Sequence, residues 1–320
     1  MQDLCSLTTH QPSIRCNPNR LSEYNIPARL RLLVLDFLTS RQQYVRTESE
    51  VSSTITINTG APQGCVLSAF LFIIYTNALS LNSESCKIIK YADDTVVIGL
   101  ISNNNETEYK STIEYVSKWC SDNFLDLNAG KTKEIVFDLR QNKNSKDKII
   151  INNTPVAIVP SYKYLGVTIQ ENLKWNEHIE IQEKKANKRM YHVRRLKKYK
   201  LDSNIICLFY NSVVSSVLVY SLSSWFGACD KKQKDILSKF NRQVCKITSE
   251  EVHPKIEVPS NIYEQKCISL ITKMLHDQDH YLHHQIIALP HGRLRSIKCT
   301  TERMKKTFLP SAIRMFNNKY

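Results

Sequence analysis

Residues 87–100 read KIIKYADDTVVIGL, and this stretch decides the fold of the first half of the chain. Two short apolar runs, at 87–91 and 95–100, flank the tripeptide Ala92-Asp93-Asp94. β-Branched residues on both sides of a short polar tip predict a β-hairpin with two neighbouring carboxylates at its turn. Predicted strands and helices alternate from here up to about residue 170, and Tyr109, Ile113, Val116 and Cys120 recur at the spacing of a helix directly after the hairpin.

Asp93 and Asp94 are the residues of this hairpin that can carry chemistry. Two adjacent negative charges repel unless a cation is bound, and Mg²⁺ prefers one or two carboxylates together with substrate phosphates. Such a tip suits phosphoryl transfer by two metal ions, in which one ion activates the attacking hydroxyl group. Aspartate is also a favoured turn residue between strands, and for the hairpin alone this structural interpretation is preferred.

A second segment favours the chemical interpretation of the hairpin over the structural one. It reads GAPQGCVLS at 60–68, and its Gly64 lies 29 residues before Asp93. The alternating residues 52–57 predict a strand, the Gly and Pro residues predict a turn, and residues 65–79 are apolar enough for a buried helix. The ordered pair of segments resembles two sequence blocks of the reverse transcriptase family, the PQG block and the [YF]xDD hairpin. The amino-acid residues of these segments resemble those of non-LTR, LINE-type retrotransposons in particular.

This resemblance implies an RNA-directed DNA polymerase that transfers nucleotides with two Mg²⁺ ions, or alternatively Mn²⁺. The implied partners are an RNA template, a DNA primer and deoxynucleoside triphosphates. Asp93 and Asp94 would be the catalytic and metal-binding carboxylates, with Asp94 in a supporting role. The residues implied to border the template and the incoming nucleotide are Pro62, Gln63, Gly64 and Tyr91.

Two later segments resemble further blocks of the same family, in the family's order. Leu127-Asn128 followed by Lys131-Thr132-Lys133 resembles the fourth palm block, which implies that Lys131 assists the departing pyrophosphate, although an exposed turn lysine fits the same pattern. Residues 162–169 read as one strand, and within them Tyr164, Leu165 and Gly166 resemble the primer-grip hairpin. An ordinary core strand is the alternative.

The net charge of +14 arises entirely in the second half of the chain. Residues 1–150 contain 16 Lys and Arg against 16 Asp and Glu, whereas residues 151–320 contain 28 against 14. A neutral half joined to a basic half is expected of a protein that grips a polyanion, and a solubilising surface would carry the same charge.

The basic residues concentrate at Lys184–Lys200, where Met190, Val193 and Leu196 mark the apolar stripe of a helix. The resemblance implies that this helix belongs to a thumb that holds the template-primer duplex. The phosphate contacts that we expect from it are Arg189, Arg194, Arg195, Lys197 and Lys198. Trp175 to Leu201 also resembles the short N-terminal helix of the AlkB-homologue tRNA-modifying family, and no chemistry is expected to follow from that.

The predicted fold is therefore α+β, a partial right-hand polymerase palm followed by a mostly helical thumb and C-terminal region. Its palm is expected to be an antiparallel sheet with packed helices. We expect a poorly defined segment at 1–20, the palm at 21–172, and the thumb with the C-terminal region at 173–320. Residues 25–39, with Leu30, Leu33, Val34 and Phe37 at helical spacing after Pro27, predict an amphipathic helix before the PQG block.

One element of the family pattern is missing from the sequence. The resemblance requires an earlier aspartate on a strand followed by an aromatic residue, and Asp3, the only nearby candidate, has neither context. The chain is thus expected to be catalytically incomplete, with little or no primer extension. A noncatalytic nucleic-acid-binding remnant that uses only the basic thumb is the alternative function.

The remaining features of the composition exclude some classes of protein. The longest unbroken apolar run, Ala69–Tyr75, is too short to span a bilayer, and residues 1–20 do not resemble a secretory signal. We therefore expect an intracellular protein of the cytoplasm and nucleus, without a membrane partner and with reduced cysteines. The donors Cys267, His276, His280, His283 and His284 are spaced too loosely to favour zinc over scattered structural residues.

Overall fold

A computed structural model of the chain describes residues 2–8, 24–58, 60–62, 64–140 and 147–319. For residues 2–8 it describes the backbone alone. The chain divides into two compact units, residues 1–162 and 163–320. This division falls ten residues before the boundary expected between 172 and 173. Strand residue Thr168 donates its backbone N–H to buried His178 of the following helix, which ties this stretch to the second unit.

The first unit contains a five-stranded sheet in the order β4-β5-β1-β6-β9. It is antiparallel, as expected, except that the edge strand β9 pairs in parallel with β6. Strand β1 lies at its centre and pairs with both β5 and β6, although residues 1–20 were expected to be poorly defined. The elements of the first unit are β1 (Gln2–Thr8), α1 (Ala28–Leu38), β2 (Arg41–Gln43), β3 (Ile55–Ile57), α2 (Val66–Asn77), β4 (Cys86–Tyr91), β5 (Asp94–Leu100), α3 (Thr107–Asp122), β6 (Lys133–Phe137), β7 (Ile150–Ile151), β8 (Thr154–Pro155) and β9 (Ala157–Ile158).

Helix α3 anchors the predicted hairpin to the core of this unit. Its apolar stripe at i, i+4, i+7 and i+11 is fully buried, as its spacing predicted. Gly99 on β5 allows this packing, because a Cβ atom there would lie 2.5 Å from Cδ2 of Tyr109. The stripe consists of Tyr109, Ile113, Val116 and Cys120.

Helix α1 forms where the sequence predicted it, directly after Pro27, but its apolar stripe is not the buried face that was expected. Leu30 and Leu33 are 51% and 61% exposed, and Leu38 is the only buried residue of the helix. Val34 and Phe37 are half-buried against a small cluster built around Leu38 and Leu71. Helical spacing thus predicted the helix, whereas the available packing partners set its burial.

The predicted single strand at 162–169 is in fact a hairpin, formed by β10 (Ser161–Tyr164) and β11 (Val167–Gln170). Leu165 and Gly166 form its two-residue turn with φ of 45° and 85°. Positive φ at both central residues is the geometry that closes tight antiparallel hairpins. The apolar spacing continued through the turn, and this concealed the reversal of the chain.

The rest of the second unit is helical, as the resemblance implied. Helix α4 begins after Trp175, and its Met190 and Val193 are fully buried, which confirms their place on the predicted stripe. Asp230 and Gln233 form a capping box at the start of α8. The helices are α4 (Asn176–Lys198), α5 (Ser203–Phe209), a π-helix (Tyr210–Ser215), α6 (Ser216–Leu218), α7 (Leu222–Trp225), α8 (Lys231–Cys245), α9 (Pro259–His276), α10 (Glu302–Lys305) and α11 (Phe308–Lys319), with short 3₁₀ turns at Phe226–Ala228, Glu250–Lys255 and His283–Gln285.

Within the described residues, Ser203–Ala228 is long and apolar enough to cross a membrane by length and composition alone. Asparagine and serine residues interrupt its apolar stretches, so it contains no unbroken apolar run longer than Ala69–Tyr75. Tyr210, Val214, Leu218 and Trp225 of this segment are at most 1% exposed and belong to the main core of the second unit. The segment is accordingly a core element of the helical unit.

Candidate active site and nucleic-acid surface

The two carboxylates lie at the tip of the β4–β5 hairpin. Tyr91 pairs with Asp94, so Ala92 and Asp93 form a two-residue turn, and Ala92 has a φ of 51°. Asp93 is exposed and Asp94 is half-buried. Burial, and to a smaller extent the charge of Asp93, raises the pKa of Asp94. The tip therefore concentrates negative charge that a bound cation would stabilise.

Strands β5 and β6 begin, and strand β1 ends, side by side at the edge of the sheet that carries this tip. The last residue of β1, Thr8, pairs with Asp94, and Ser6 pairs with Lys133 at the start of β6. Lys131 precedes Lys133 by two residues in an exposed turn, so it lies at the same edge, about two strand spacings or 10 Å from β5. The sheet thus brings the turn of Lys131 and the carboxylate pair to one edge.

Asp3 is too far from this edge to act as the missing carboxylate. It pairs with Gly99, five residues along β5 from Asp94, which corresponds to about 17 Å. The β1 residue level with Asp94 is Thr8. Among the residues that the structure describes, no group of three or more His, Cys, Asp or Glu could hold a metal ion. Asp93 and Asp94 suit Mg²⁺ by donor type but do not by themselves complete a two-ion site.

Helix α2 and the hairpin enclose a groove of about 730 Å³ beside Asp93. Phe72 and Ile73 provide its apolar wall, and Tyr91 and Asp93 lie opposite them. Lys90 fixes the hairpin to this helix, because its ammonium group donates to the carbonyl oxygens of Thr76 and Leu79, both at 2.8 Å. Partial burial lowers the pKa of Lys90.

Sequence reasoning missed the role of Lys90, although the sequence contained a signal for it. In β4, Cys86 and Ile88 face inward. Lys90 follows them at the same two-residue spacing, so it lies on the same face. A lysine on an inward face must find hydrogen-bond acceptors. The end of α2 provides them, since the last carbonyl groups of a helix lack partners within it.

The PQG turn lies before α2. Pro62 accepts a hydrogen bond from the hydroxyl group of Ser68 at 2.6 Å, and exposed Gly64 has a φ of 79° that favours glycine. Gln63 lies outside the described residues. Gly64 lies two residues before Val66, the first residue of α2, and Ala69 is the first residue of this helix that lines the groove. The PQG turn thus leads into the helix that lines the groove beside Asp93.

The β10–β11 turn in the second unit is held from outside the hairpin. The hydroxyl group of Tyr220 donates to the carbonyl oxygen of Leu165 at 2.8 Å, and its ring lies 3.0 Å from the position of a Cβ atom on Gly166. Nδ1 of fully buried His178 accepts from the backbone N–H of Thr168 at 3.2 Å. Burial, and to a smaller extent the charge of Lys185, lowers the pKa of His178 to about 4.

The five expected phosphate contacts on α4 divide into two groups. Arg189 is half-buried, and its Nη1 donates to the carbonyl oxygen of Val213 at 2.5 Å, so it also fastens α4 to the neighbouring π-helix. The other four are exposed: Arg194, Arg195, Lys197 and Lys198. Arg195 is held between Tyr191 and Tyr199, whose hydroxyl groups accept from its guanidinium at 3.2 and 2.6 Å.

The family model described as "Reverse transcriptase (RNA-dependent DNA polymerase)" matches residues 18–169, about half of the chain. This range contains the PQG turn, the carboxylate hairpin, the Lys131 turn and the β10–β11 hairpin. The chain therefore carries a reverse transcriptase domain. Its curated relatives place that domain among those of non-LTR, LINE-type retrotransposons.

Three of these relatives come from insect mobile elements. The RNA-directed DNA polymerase from mobile element jockey of Drosophila melanogaster is 28% identical over 165 residues, covering 48% of this chain and 18% of the relative. The probable RNA-directed DNA polymerase from transposon X-element of the same organism is 25% identical over 242 residues, covering 70% and 25%. The Pol polyprotein from type-1 retrotransposable element R1 of Bradysia coprophila is 24% identical over 176 residues, covering 53% and 18%. The chain thus spans a quarter or less of each relative.

Two further comparisons carry less information. A model described as "Alkylated DNA repair protein alkB homolog 8, N-terminal" matches residues 175–216, which include α4, α5 and the π-helix. A solved telomerase structure from Candida albicans, in complex with a fragment of telomeric RNA, is 11% identical with a TM-score of 0.34. It covers 81% of this chain and 49% of the telomerase chain. This score is too low to define the fold.

Proposed function

We propose that the first unit is the palm and the second unit the thumb of an RNA-directed DNA polymerase that binds an RNA template and a DNA primer. The observation that carries the proposal is that the Asp93–Asp94 tip and the turn of Lys131 lie at one edge of the sheet, with the α2 groove beside Asp93. In this proposal Asp93 binds a divalent cation, supported by Asp94, and Lys131 interacts with the departing pyrophosphate. Deoxynucleoside triphosphates are the substrates.

The basic face of α4 is the proposed phosphate-binding surface. Arg194, Lys197 and Lys198 are exposed, and no carboxylate among the described residues pairs with them. Each phosphate contact that a basic residue makes releases counterions and so makes binding depend on salt. Replacing all three residues by alanine should weaken binding of an RNA–DNA hybrid and reduce the slope of log K against log salt by about 2 to 3. An equal loss for Lys87→Ala, an exposed lysine of the first unit, would contradict this assignment.

We further propose that this stretch of chain binds template-primer without extending it efficiently, because Thr8 and not an aspartate lies level with Asp94. The experiment is a primer-extension assay on an RNA template with Mg²⁺ or Mn²⁺, comparing the chain with Asp93→Asn. Little extension by either protein is the expected result. Robust Mg²⁺-dependent extension that Asp93→Asn abolishes would refute catalytic incompleteness and establish the polymerase.

The same position of Thr8 favours a second candidate function, a nucleic-acid-binding protein without catalysis. The two candidates differ in what they require of Asp93 and Asp94. A palm that retains a cation site should bind Mn²⁺ more weakly in Asp93→Asn, as measured by electron paramagnetic resonance of free Mn²⁺. Unchanged Mn²⁺ binding together with full hybrid binding would favour the noncatalytic function.

A further inference from the structure

One exposed line along α4 and its C-cap residue, Tyr199, carries two tyrosines with an arginine between them. Tyr191, Arg195 and Tyr199 stand four residues apart, so their side chains follow one another along the helix surface. Tyr191 is 53% and Tyr199 is 62% exposed, while Met190 and Val193 on the opposite side are fully buried. Large aromatic surfaces on the solvent face of a basic helix are not needed for its packing.

These three side chains, the tyrosine–arginine ladder, are fixed relative to one another. The guanidinium group donates to both hydroxyl groups, and its Cζ atom lies 5.8 Å from the ring centroid of Tyr191 and 5.5 Å from that of Tyr199. Two of the five N–H groups of Arg195 are used in these bonds, which leaves three for a ligand. Each hydroxyl group accepts from Arg195 and so keeps its own proton to donate. Preorganised side chains lose little conformational entropy when a ligand binds.

The ladder suits unpaired bases better than a duplex. Unpaired bases expose their flat faces and stack on aromatic rings and guanidinium planes, whereas paired bases are already stacked on their neighbours. The surrounding charge is complementary to a phosphate backbone, since Lys188 and Lys198 are exposed nearby on the helix. Glu183, the nearest acidic residue along α4, forms an ion pair with Lys239 at 3.3 Å.

We infer that the tyrosine–arginine ladder binds an unpaired stretch of RNA by stacking its bases on Tyr191 and Tyr199, while Arg195 binds phosphate. This inference rests on the proposed function, which brings a single-stranded RNA template to the chain. It differs from general phosphate binding because it assigns part of the affinity to base stacking. That part does not depend on salt.

The test is fluorescence anisotropy with the whole chain and a labelled, unstructured 15-nucleotide RNA. The Tyr191→Ala/Tyr199→Ala variant should bind this RNA at least about tenfold more weakly and change affinity for an RNA–DNA hybrid less than about twofold. Tyr191→Phe/Tyr199→Phe keeps the rings and should retain most of the affinity. The matched control is Tyr115→Ala/Tyr281→Ala, which removes two other exposed tyrosines and should have no effect. Circular dichroism verifies that each variant is folded.

The outcomes separate this inference from the proposed function. If the wild-type chain binds neither RNA nor hybrid, the proposed nucleic-acid surface itself is wrong, and the inference fails with it. If the wild-type chain binds RNA and the double alanine variant binds equally well, only the ladder is refuted. An equal loss for RNA and hybrid would show that the tyrosines support the helix instead of reading unpaired bases. Equal tyrosine-dependent binding of DNA of the same sequence would refute the assignment to RNA.

Discussion

The hairpin that carries Asp93 and the hairpin that carries Gly166 both reverse direction in two residues. In both, the first turn residue has a positive φ without being glycine: Ala92 at 51° and Leu165 at 45°. A non-glycine residue in this region costs about 1–2 kcal/mol, so it persists only where the surrounding structure fixes it. The fixing contacts differ. The first hairpin uses a charged side chain of its own strand, Lys90, whereas the second uses His178 from α4 and Tyr220 from the turn between α6 and α7.

The sequence blocks of the family therefore specify the turns but not the contacts that hold them. Loss of the charge should destabilise a strained turn that a local charged side chain holds. Protonation of a supporting group, or added side-chain volume at the turn, should destabilise a strained turn that neutral buried groups hold.

Acid should affect the second hairpin most strongly, through His178. The folded protein holds His178 neutral with a pKa of about 4, against an ordinary value of 6.5. The unfolded chain therefore takes up the proton first as the pH falls, and stability is lost between about pH 6.5 and pH 4, up to about 3 kcal/mol. Urea unfolding, followed by tryptophan fluorescence at pH 7, 5.5 and 4.5, measures this loss. His178→Gln should flatten the pH dependence, and an unchanged slope would exclude His178 as its source.

Added volume at the second turn should be the next largest effect. Gly166→Ala combines strain at a φ of 85° with a Cβ atom only 3.0 Å from the Tyr220 ring, and should lower the free energy of unfolding by about 2–3 kcal/mol. Gly292→Ala is the matched control, because Gly292 also has a positive φ, 76°, but nothing lies within 4 Å of the added atom. It should cost only about 1 kcal/mol. Equal losses in urea unfolding would mean that the Tyr220 contact is unimportant.

Removal of the Lys90 charge should loosen the first hairpin. Lys90→Met keeps the aliphatic length but leaves the carbonyl oxygens of Thr76 and Leu79 without this donor, at a cost of about 2 kcal/mol. Lys87→Met, at an exposed position on the same strand, should stay within about 0.5 kcal/mol of the wild type. Hydrogen exchange at Tyr91–Asp94 should become faster only in the Lys90 variant. Faster exchange in both variants would argue against a specific anchor.

The smallest effect should follow from loss of a single hydroxyl group. Tyr220→Phe removes the donor to the carbonyl oxygen of Leu165 but keeps the ring, and should cost about 1 kcal/mol. Tyr281→Phe, at a tyrosine that is 70% exposed, should be neutral. The two variants are compared by urea midpoint at constant m-value. A neutral Tyr220→Phe would show that ring packing alone supports the turn.

Much of the local structure followed from the sequence, because it depends on neighbouring residues. The carboxylate hairpin, helix α3 with its buried stripe and the buried stripe of α4 all appear as predicted. Period-2 and period-3.6 patterns report which face of an element is apolar, and this information is contained in a window of ten to eighteen residues. The roles of Asp93, Lys131 and Gly64 remain predictions, and the structure places the first two at one sheet edge.

The sequence alone predicted most of the helices and strands, the order of the family blocks and the concentration of positive charge in the second half, but not β1 or the β10–β11 reversal. Only the tertiary structure decided that Gln2–Thr8 is the central strand, that Lys90 anchors the hairpin, and that Arg189 contacts a carbonyl group while Arg195 joins two tyrosines. The physical reason is that strand pairing and hydrogen bonding of buried polar groups join residues far apart in the chain. Strand β1 meets partners on β5 that lie more than 80 positions away, and no local pattern specifies which partner is chosen.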